Sequence, residues 1–376
     1  MNFKDYVSGD YLPGFKYKYF LPSKINHSFT WDDEEINGLL EAAAFKLGEL
    51  NAFSRYAPDT DLFIKMHIVK EAVESNKIEG TKTNIEEAIS DEINIDPEKK
   101  DDWQEVNNYV IAMNTAIENL NELPLSTRLI NNTHRILLSS VRGKHKNPGE
   151  IRKSQNWIGG ASLDDATYIP PAHHELPELL NDLENFIHNE NLHIPHLVKI
   201  AIAHYQFESI HPYLDGNGRI GRLIITLYLV NYRILEKPLL YLSDYFDRHR
   251  PEYYDKLNRT RTENALSEWV KFFLKGVYET ANNAVSTLKK IETLKAEIEK
   301  NKIINFGKRI GPAYELLNGL FKSPSVSIKN VQGITGLSPK AANDLVQLFV
   351  DNNILSEATG FQRNRQFIFR EYINLF

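Results

Sequence analysis

Twelve residues near the middle of the chain carry the side chains that phosphate chemistry uses. Residues 211 to 222 read HPYLDGNGRIGR and combine a histidine, an aspartate, two glycines around an asparagine, and two arginines. Three structures compete for such a segment: a tight turn, a calcium-binding loop, and a cradle for phosphate beside a base.

The turn and the calcium loop both fit poorly. An Asn-Gly pair is typical of hairpin turns, but the residues that follow, RIGRLIITLYLVNY, predict an apolar helix rather than a returning strand. A calcium loop needs oxygen ligands at alternate positions and a glutamate at the twelfth. Arg219 stands where the third ligand should be and Thr226 where the glutamate should be, so this sequence does not predict a calcium site.

The phosphate cradle fits the chemistry. Gly216 and Gly218 permit positive φ, which lets consecutive backbone N–H groups turn toward one anion. We expect a helix to start near Arg219 and to add the positive end of its dipole at the same place. Arg219 and Arg222 lie three residues apart, hence on one face of that helix, and both can reach a polyphosphate.

The two remaining polar residues predict a metal ion and a base. Asp215 would repel a bare phosphate, but a Mg²⁺ ion between the two groups turns repulsion into attraction, and nucleotide-bound Mg²⁺ favours one-carboxylate sites. His211 precedes Pro212, which limits the freedom of the backbone. An imidazole with a pKa near ~6.5 can take the proton of a hydroxyl group at neutral pH.

This segment resembles the signature of the Fic domain family, His-Pro-aromatic-x-Asp-Gly-Asn-Gly-Arg-x-x-Arg. Every fixed position is matched, with Tyr213 where the family often has Phe. The resemblance implies an all-α core with a flap β-hairpin that transfers AMP from ATP to a Ser, Thr or Tyr hydroxyl group of a protein. The intact GNGR sequence favours this reaction over the γ-phosphate transfer of the related Doc kinases.

The resemblance also implies roles for single residues. His211 is the general base, Asp215 holds Mg²⁺, and the attacked atom is Pα of ATP, so that pyrophosphate leaves. The residues implied to bind ATP are Gly216, Asn217 and Gly218 through their amides, Arg219 and Arg222 through the β- and γ-phosphates, Gly221, and Tyr254 near the adenine.

A second segment, SNKIEG at residues 75–80, resembles the inhibitory motif of the family, Ser-x-x-x-Glu-Gly. Ser75 and Glu79 are four residues apart, on one helical face, and Gly80 ends the helix. The resemblance implies that Glu79 pairs with Arg222 and withholds it from ATP. An exposed ion pair contributes only about 0.2–1 kcal/mol, so we expect the pair to be desolvated and the helix to block the γ-phosphate. Glu79 as the residue that positions a water for removal of AMP stays an alternative.

Most of the chain predicts helices. Residues 61–80 place Leu62, Met66, Val69, Val73 and Ile78 close to a 3.6-residue period, and further helices are predicted over 101–120, 176–188 and 195–210. The clearest strand signal before residue 300 is SQNWIGGASLDDATYIPP, 154–171, which predicts a hairpin. The family resemblance makes this hairpin the flap over the site, where a target protein would dock as an added strand.

The chain divides into four predicted parts. Residues 1–100 form an N-terminal helical region with the inhibitory motif, 101–275 the Fic core, 276–304 a connector helix with an apolar seam, and 305–376 a small C-terminal winged helix-turn-helix domain. The recognition helix of that domain would expose Lys340, Asn343 and Gln347, and the wing would carry Arg363 and Arg365.

The tail leaves the choice of partner open. It holds eight Lys or Arg residues and five acidic ones, a modest basic excess that is weak evidence for DNA binding. Docking of a protein and homodimer formation are the alternatives. The rival to an enzyme is a transcriptional regulator that binds nucleotide without transferring it, and the presence of both His211 and Asp215 argues against that rival.

Composition sets the remaining limits. A net charge of −6 argues against wholesale coating of nucleic acid or of anionic membrane, and the lack of cysteine excludes disulfides, thiolate nucleophiles and cysteine-based metal sites. The longest apolar run, LIITLYLV, is too short to cross a bilayer, and the first residues predict no secretory signal. We therefore expect a cytoplasmic, soluble protein.

Overall fold

The computed structural model describes residues 1–56, 60–139, 142–358 and 365–376, apart from the side chains of residues 56, 60–63 and 93. Two predicted positions, the side chain of Leu62 and all of Arg363, lie outside these described residues. Helices dominate, which confirms the all-α class. The first eleven helices are α1 (Glu34–Tyr56), α2 (Thr60–Ile78), α3 (Ile85–Ala88), α4 (Lys100–Asn119), α5 (Thr127–Leu137), α6 (Leu176–His188), α7 (His196–Ile210), α8 (Asn217–Asn231), α9 (Ser243–Arg248), α10 (Arg250–Glu263) and α11 (Leu266–Asn301).

Two central helices support the candidate site. Residues 197–210 of α7 and 219–229 of α8 are buried without interruption. A helix that is surrounded on all sides by protein has a fixed position, so the short turn between α7 and α8 is held at both ends. The four helices predicted from periodicity, α2, α4, α6 and α7, are all present within two residues of their predicted ends.

The predicted connector is part of a longer helix. α11 runs without a break for 36 residues, about 54 Å at the usual rise per residue. Its predicted apolar seam is buried, at Val285, Leu288, Ile291, Leu294 and Ile298, and it packs along α1. A boundary between residues 275 and 276 would therefore cut through one helix, since buried positions continue from Leu266 to Ile298.

The tail contains three helices and two strands in the predicted order, with an unpredicted strand before the second helix and an unpredicted short helix near the end. It contains α12 (Ile310–Lys322), α13 (Ile328–Thr335), α14 (Pro339–Asp351) and α15 (Arg370–Ile373), and strands that form one antiparallel sheet. The strands of this sheet are β3 (Ser325–Ser327), β4 (Ser356–Glu357) and β5 (Gln366–Ile368), and β5 lies in the middle. Ser338 accepts a hydrogen bond from the N–H of Ala341 and caps α14.

Two strand regions differ from the prediction. An unpredicted hairpin, β1 (Gly9–Pro13) and β2 (Lys18–Pro22), lies near the N-terminus, and Phe20 N–H donates to the carbonyl of Ile169 at 2.9 Å. This long-range contact stabilises strands whose own sequence alternates weakly. The predicted hairpin at 154–171 is reduced to one bridge between Ile158 and Tyr168. None of the described helices is both long and apolar enough to cross a membrane.

Candidate active site

The turn after α7 holds His211 in a strained backbone conformation. His211 has φ 48° and ψ 61°, in the left-handed region, although a residue before proline normally prefers extended conformations. Such strain costs on the order of 1–3 kcal/mol and persists only where the surroundings impose it. Here the buried Arg152 imposes the conformation. Its side-chain Nε donates to the His211 carbonyl at 3.0 Å, and its backbone N–H donates to the Pro212 carbonyl at 2.9 Å. The position of the imidazole is thereby fixed.

The start of α8 differs in detail from the prediction. Gly216 is left-handed, with φ 78°, and the helix begins at Asn217 rather than near Arg219. Gly218 does not have positive φ, because it already belongs to the helix. The side chain of Asn217 accepts from the Tyr213 N–H at 2.8 Å and donates to the Tyr213 carbonyl at 2.9 Å. Asn217 thus closes the loop, in addition to offering its amide.

Gly218 is required because the carboxylate of Glu79 lies close to its backbone, and not because of a special backbone angle. A Cβ atom at this position would collide with Oε1 of Glu79 and would lie 3.0 Å from Nη1 of Arg222. The first turn of α8 therefore faces a carboxylate of the same chain. This is the end of a helix at which anions are stabilised.

The predicted contact between Glu79 and Arg222 is present. Nη2 of Arg222 donates to Oε1 of Glu79 at 2.7 Å and to the carbonyl of Ser75 at 2.9 Å, and Nε donates to Oγ of Ser75 at 2.9 Å. The side chain of Arg222 is 1% exposed, whereas that of Glu79 is 35% exposed. The arginine is thus desolvated, and the glutamate lies at the rim of the site.

Electrostatics keep Glu79 ionised. Burial alone would raise the pKa of its carboxyl group, but the charge and hydrogen bond of Arg222 and the charge of Arg219 act in the opposite direction. The net effect is a lowered pKa. At neutral pH the site therefore contains an internal carboxylate beside the guanidinium of Arg222.

Arg219 has a different set of partners. Its Nη1 donates to Asn76 Oδ1 at 3.3 Å and to Glu105 Oε2 at 3.2 Å, and its Nη2 donates to Asp215 Oδ1 at 3.3 Å. Nε of Arg219 is buried and has no hydrogen-bond partner among the described residues. The two arginines of the motif are thus held by separate carboxylates, with α2 contacting both.

Asp215 suits a metal ion that is also bound by phosphate. Its side chain is 43% exposed, and Oδ1 accepts from the N–H of Gly216 at 2.6 Å as well as from Arg219. No group of three or more acidic, histidine or cysteine residues in the described parts of the chain could hold a metal alone. A single half-exposed carboxylate fits Mg²⁺ whose other ligands are phosphate oxygens and water.

The imidazole of His211 is neutral at physiological pH. Burial, followed by the charges of Arg261 and Arg152, lowers its pKa to about 3. The ring is therefore available to accept a proton.

Gly221 and Tyr254 have different surroundings. A Cβ at Gly221 would overlap Oε1 of Glu208, and the carbonyl of Gly221 accepts from Nδ1 of His204 at 3.0 Å. Gly221 thus permits close packing of α7 on α8. Tyr254 is 43% exposed, while its neighbour Tyr253 is 1% exposed. The hydroxyl group of Tyr253 donates to Nε2 of His204 at 2.9 Å. Of the two tyrosines, Tyr254 alone offers a ring surface to a ligand.

The sequence prediction missed His134. Its Nδ1 accepts from the N–H of Gly149 at 2.8 Å, so Nε2 carries the proton and donates to the Asp215 carbonyl at 2.9 Å. The ring stacks on Tyr213 at 3.8 Å, and burial lowers its pKa to about 4. The helical period of α5 could have placed His134 on the buried face, but no sequence signal identifies its partner.

Arg152 was also missed, and it joins the flap to the site. Besides the bond to His211, Nη1 donates to the Ser154 carbonyl at 3.1 Å and Nη2 to the Pro171 carbonyl at 2.6 Å. The hydroxyl group of Tyr168 donates to the Ser209 carbonyl at 2.6 Å. Both ends of segment 154–171 are thus attached beside His211.

The sequence and the fold of this chain resemble those of known proteins. Residues 37–118 match the Fic/DOC family N-terminal model and residues 124–229 the Fic/DOC family model, together half of the chain. The chain is 29% identical over 175 residues to a protein adenylyltransferase Fic from Aedes aegypti, which covers 44% of this chain and 31% of the relative. It spans about a third of the length of the curated relatives first matched.

Two solved structures share the fold. A Fic family protein from Desulfovibrio desulfuricans G20 superposes with a TM-score of 0.58 at 20% identity, over 92% of this chain and 98% of the other. A Fic domain containing signaling protein from Bacteroides thetaiotaomicron superposes with a TM-score of 0.52 at 18% identity, over 68% and 97%. The signature loop, the two family matches and the shared fold together show that the chain belongs to the Fic/DOC family.

Proposed function

We propose that this protein is an adenylyltransferase that transfers AMP from ATP to hydroxyl groups of proteins, itself included, and that Glu79 restrains it. One observation carries the proposal. The N-terminal turn of α8, with Arg222 at its side, faces an anion at Gly218, and His211, with its neutral imidazole, caps α7 at the start of the loop that leads into this turn. An anion site beside a base is what transfer of a phosphorus group to an alcohol requires.

The triphosphate would lie along the first turn of α8. The N–H groups of Gly216, Asn217 and Gly218 and the charges of Arg219 and Arg222 would bind it, with Tyr254 against the base. Asp215 would hold Mg²⁺, which supplies neutralisation of the charge that develops on the leaving pyrophosphate.

The proposed reaction has two parts, the attack of the target hydroxyl group on Pα and the transfer of its proton to His211. A hydroxyl oxygen of the target forms a bond to Pα while the bond from Pα to the bridging oxygen of the β-phosphate breaks, and pyrophosphate leaves. The hydroxyl proton passes to the imidazole of His211, whose lowered pKa of about 3 keeps it unprotonated beforehand. The target is a Ser, Thr or Tyr residue docked at segment 154–171, where Trp157 is 41% exposed.

Glu79 and the triphosphate would compete for one place. The carboxylate touches Gly218 and forms its ion pair with the buried Arg222, so a γ-phosphate cannot bind there until Glu79 moves. The block is therefore both steric and electrostatic. Activation of a water by Glu79 for the reverse reaction, removal of AMP, stays an alternative use of the same carboxylate.

Labelling with two forms of ATP tests the reaction. The Glu79→Gly variant is incubated with Mg²⁺ and ATP labelled at the α- or the γ-phosphate. We expect label from the α position to become covalently attached, label from the γ position to leave with pyrophosphate, and both chelation of Mg²⁺ and Asp215→Ala to abolish incorporation. Transfer of γ-label would contradict the proposal.

Histidine variants assign the base. In the Glu79→Gly background, His211→Ala should abolish incorporation while ATP still binds. The matched control is His174→Ala, since the side chain of His174 is 66% exposed and forms an ion pair with the neighbouring Glu175. Equal activity of the two histidine variants would exclude His211 as the base.

The second candidate, a DNA-binding regulator, receives less support. In the tail, Arg309 pairs with Asp344 of α14 at 3.1 Å and Arg365 with Glu357 at 3.5 Å. The charge of Arg365, in the predicted wing, is thereby partly neutralised, which weakens its attraction for the phosphates of DNA. A salt-dependent gel shift on genomic fragments would favour this candidate.

A further inference from the structure

Arg219, to which the proposed function assigns the triphosphate, contacts two carboxylates of its own chain. Its Nη2 donates to Asp215, and its Nη1 donates to Oε2 of Glu105 at 3.2 Å. The side chains of Arg219 and Glu105 are only 5% and 13% exposed. A carboxylate that accepts from a guanidinium group in such a desolvated place competes with any phosphate that needs the same group. Glu105 would therefore oppose ATP binding unless another cation held it.

Arg142, in the segment after α5, supplies that cation. Its Nε lies 2.7 Å from Oε1 of Glu105, and its Nη2 donates to Oδ1 of Asp102 at 2.5 Å. Each oxygen of Glu105 thus contacts a different arginine. The contact with Arg142 is shorter than the contact with Arg219. Since attraction between opposite charges falls with distance, Arg142 is the stronger partner of the two.

The first turns of α4 hold Arg142 in place. Asp102 and Glu105 both belong to these turns and contact its guanidinium group, and the charge of Asp101 acts on it as well. Oδ2 of Asp102 also accepts from the backbone N–H of Lys82 at 2.8 Å, which fixes this carboxylate. The side chain of Arg142 is 48% exposed, so it reaches Glu105 from the solvent side.

We propose that Arg142 is a positioning residue for ATP binding, which holds Glu105 so that Arg219 stays available to the β- and γ-phosphates. This role rests on the proposed function, in which Arg219 binds the triphosphate. Without Arg142, the desolvated Glu105 loses one of its two arginines, and both of its oxygens turn to Arg219 as the remaining cation. ATP then has to displace a stronger ion pair before it can bind. Arg142 acts through Glu105 and does not contact the nucleotide itself.

Nucleotide binding tests this role without a chemical step. The parent protein is the full chain with Glu79→Gly and His211→Ala, titrated with ATP and Mg²⁺ in a calorimeter. The pH is 8, because burial raises the pKa of Glu105 and its carboxylate must be ionised. Adding Arg142→Met should raise the Kd of ATP about tenfold, as for the loss of one charge-assisted hydrogen bond to Arg219. An unchanged Kd would overturn the proposal.

Glu105→Gln distinguishes positioning from direct contact. Glutamine keeps the size of the side chain and removes the charge that competes for Arg219. Glu105→Gln alone should bind ATP at least as tightly as the parent, and combined with Arg142→Met it should restore the Kd to within about twofold of the parent value, since the two substitutions act through one contact. A Kd that stays raised in the combined variant would mean that Arg142 binds ATP directly or only supports the fold, and would overturn the proposal.

The matched control is Lys144→Met, which removes a positive charge from an exposed position of the same segment and should leave the Kd within about twofold of the parent value. Equal losses in Arg142→Met and Lys144→Met would show a general effect of charge and contradict the role of Arg142. The proposed function has a separate readout. If Glu79→Gly transfers no AMP while the binding results are as expected, the enzyme assignment fails and the role of Arg142 in binding ATP stands.

Discussion

Glu79 and Arg222 meet at 2.7 Å directly above Gly218, at the first turn of α8. The arginine is buried and the glutamate is one-third exposed, so the pair is intermediate between a surface ion pair and a buried one. Its strength does not come from the ion pair alone, because Ser75 supplies two further acceptors to the same guanidinium. Under the proposed function, the internal carboxylate and the γ-phosphate of ATP would compete for this place beside Arg222.

Ser75→Ala should weaken this restraint in part. The variant removes the hydroxyl group that accepts from Nε of Arg222 at 2.9 Å, a bond worth about 0.5–1.5 kcal/mol. Auto-AMPylation should rise about 2- to 12-fold over the wild type, measured by incorporation of labelled AMP. The control is Ser90→Ala, whose hydroxyl group donates to the Glu86 carbonyl. An unchanged rate in Ser75→Ala would show that Ser75 has no part in the restraint.

Gly216→Ala should destabilise the fold by about 1–2 kcal/mol, measured by urea unfolding. The reason is the backbone angle of φ 78° and not a clash, because a Cβ at this position would come no closer than 3.5 Å to the side chains of His134 and Leu138. Gly216→Asn should cost less, since asparagine tolerates the left-handed region better than alanine. Equal losses in the two variants would contradict this explanation.

Arg152→Met should destabilise the protein by about 3 kcal/mol or more, because it leaves the buried carbonyls of His211 and Pro171 without their donor. In the Glu79→Gly background it should also slow AMP transfer, since the strained His211 backbone loses its support. Arg128→Met, at an exposed position of α5, should change the free energy of unfolding by less than about 0.5 kcal/mol. Wild-type stability of Arg152→Met would disprove this role.

The rate of AMP transfer by Glu79→Gly should depend only weakly on pH in mildly acidic solution. A base with the ordinary pKa of about 6.5 would lose about thirtyfold in its neutral fraction by pH 5. Burial and two arginines lower the pKa of His211 to about 3, so the neutral form persists and is lost only as the pH falls through that value. We expect kcat/KM of Glu79→Gly to stay nearly constant from about pH 8 to 5, with circular dichroism as the control for folding. A midpoint near 6.5 would contradict the assignment.

The sequence located the loop more accurately than it predicted the geometry of the loop. HPYLDGNGRIGR identified the turn because each residue type has a chemical reason to be there, and the periodicity of α2, α4, α6 and α7 located the helices. The conformation of Gly218 was predicted wrongly. A glycine needed for positive φ and one needed for a close approach look the same in a sequence, and only the position of Glu79 distinguishes them.

Long-range contacts account for what the sequence could not predict. The bonds of His134 to Asp215 and of Arg152 to His211 join residues 59 or more positions apart, and no local pattern encodes them. The N-terminal hairpin is likewise stabilised by the flap, through Phe20 and Ile169. The predicted boundary at 275 lies inside α11, whose buried seam repeats the helical period of the core without interruption.

The rate of AMP incorporation by Glu79→Gly, compared with wild type by intact-mass spectrometry in Mg²⁺ and ATP, tests the central claim most directly. Loss of a charged hydrogen bond worth about 1.5–3 kcal/mol predicts a rate about 10- to 150-fold above wild type, with Glu79→Gln between the two. Equal rates in the three proteins would show that the carboxylate above Gly218 does not control access to the site.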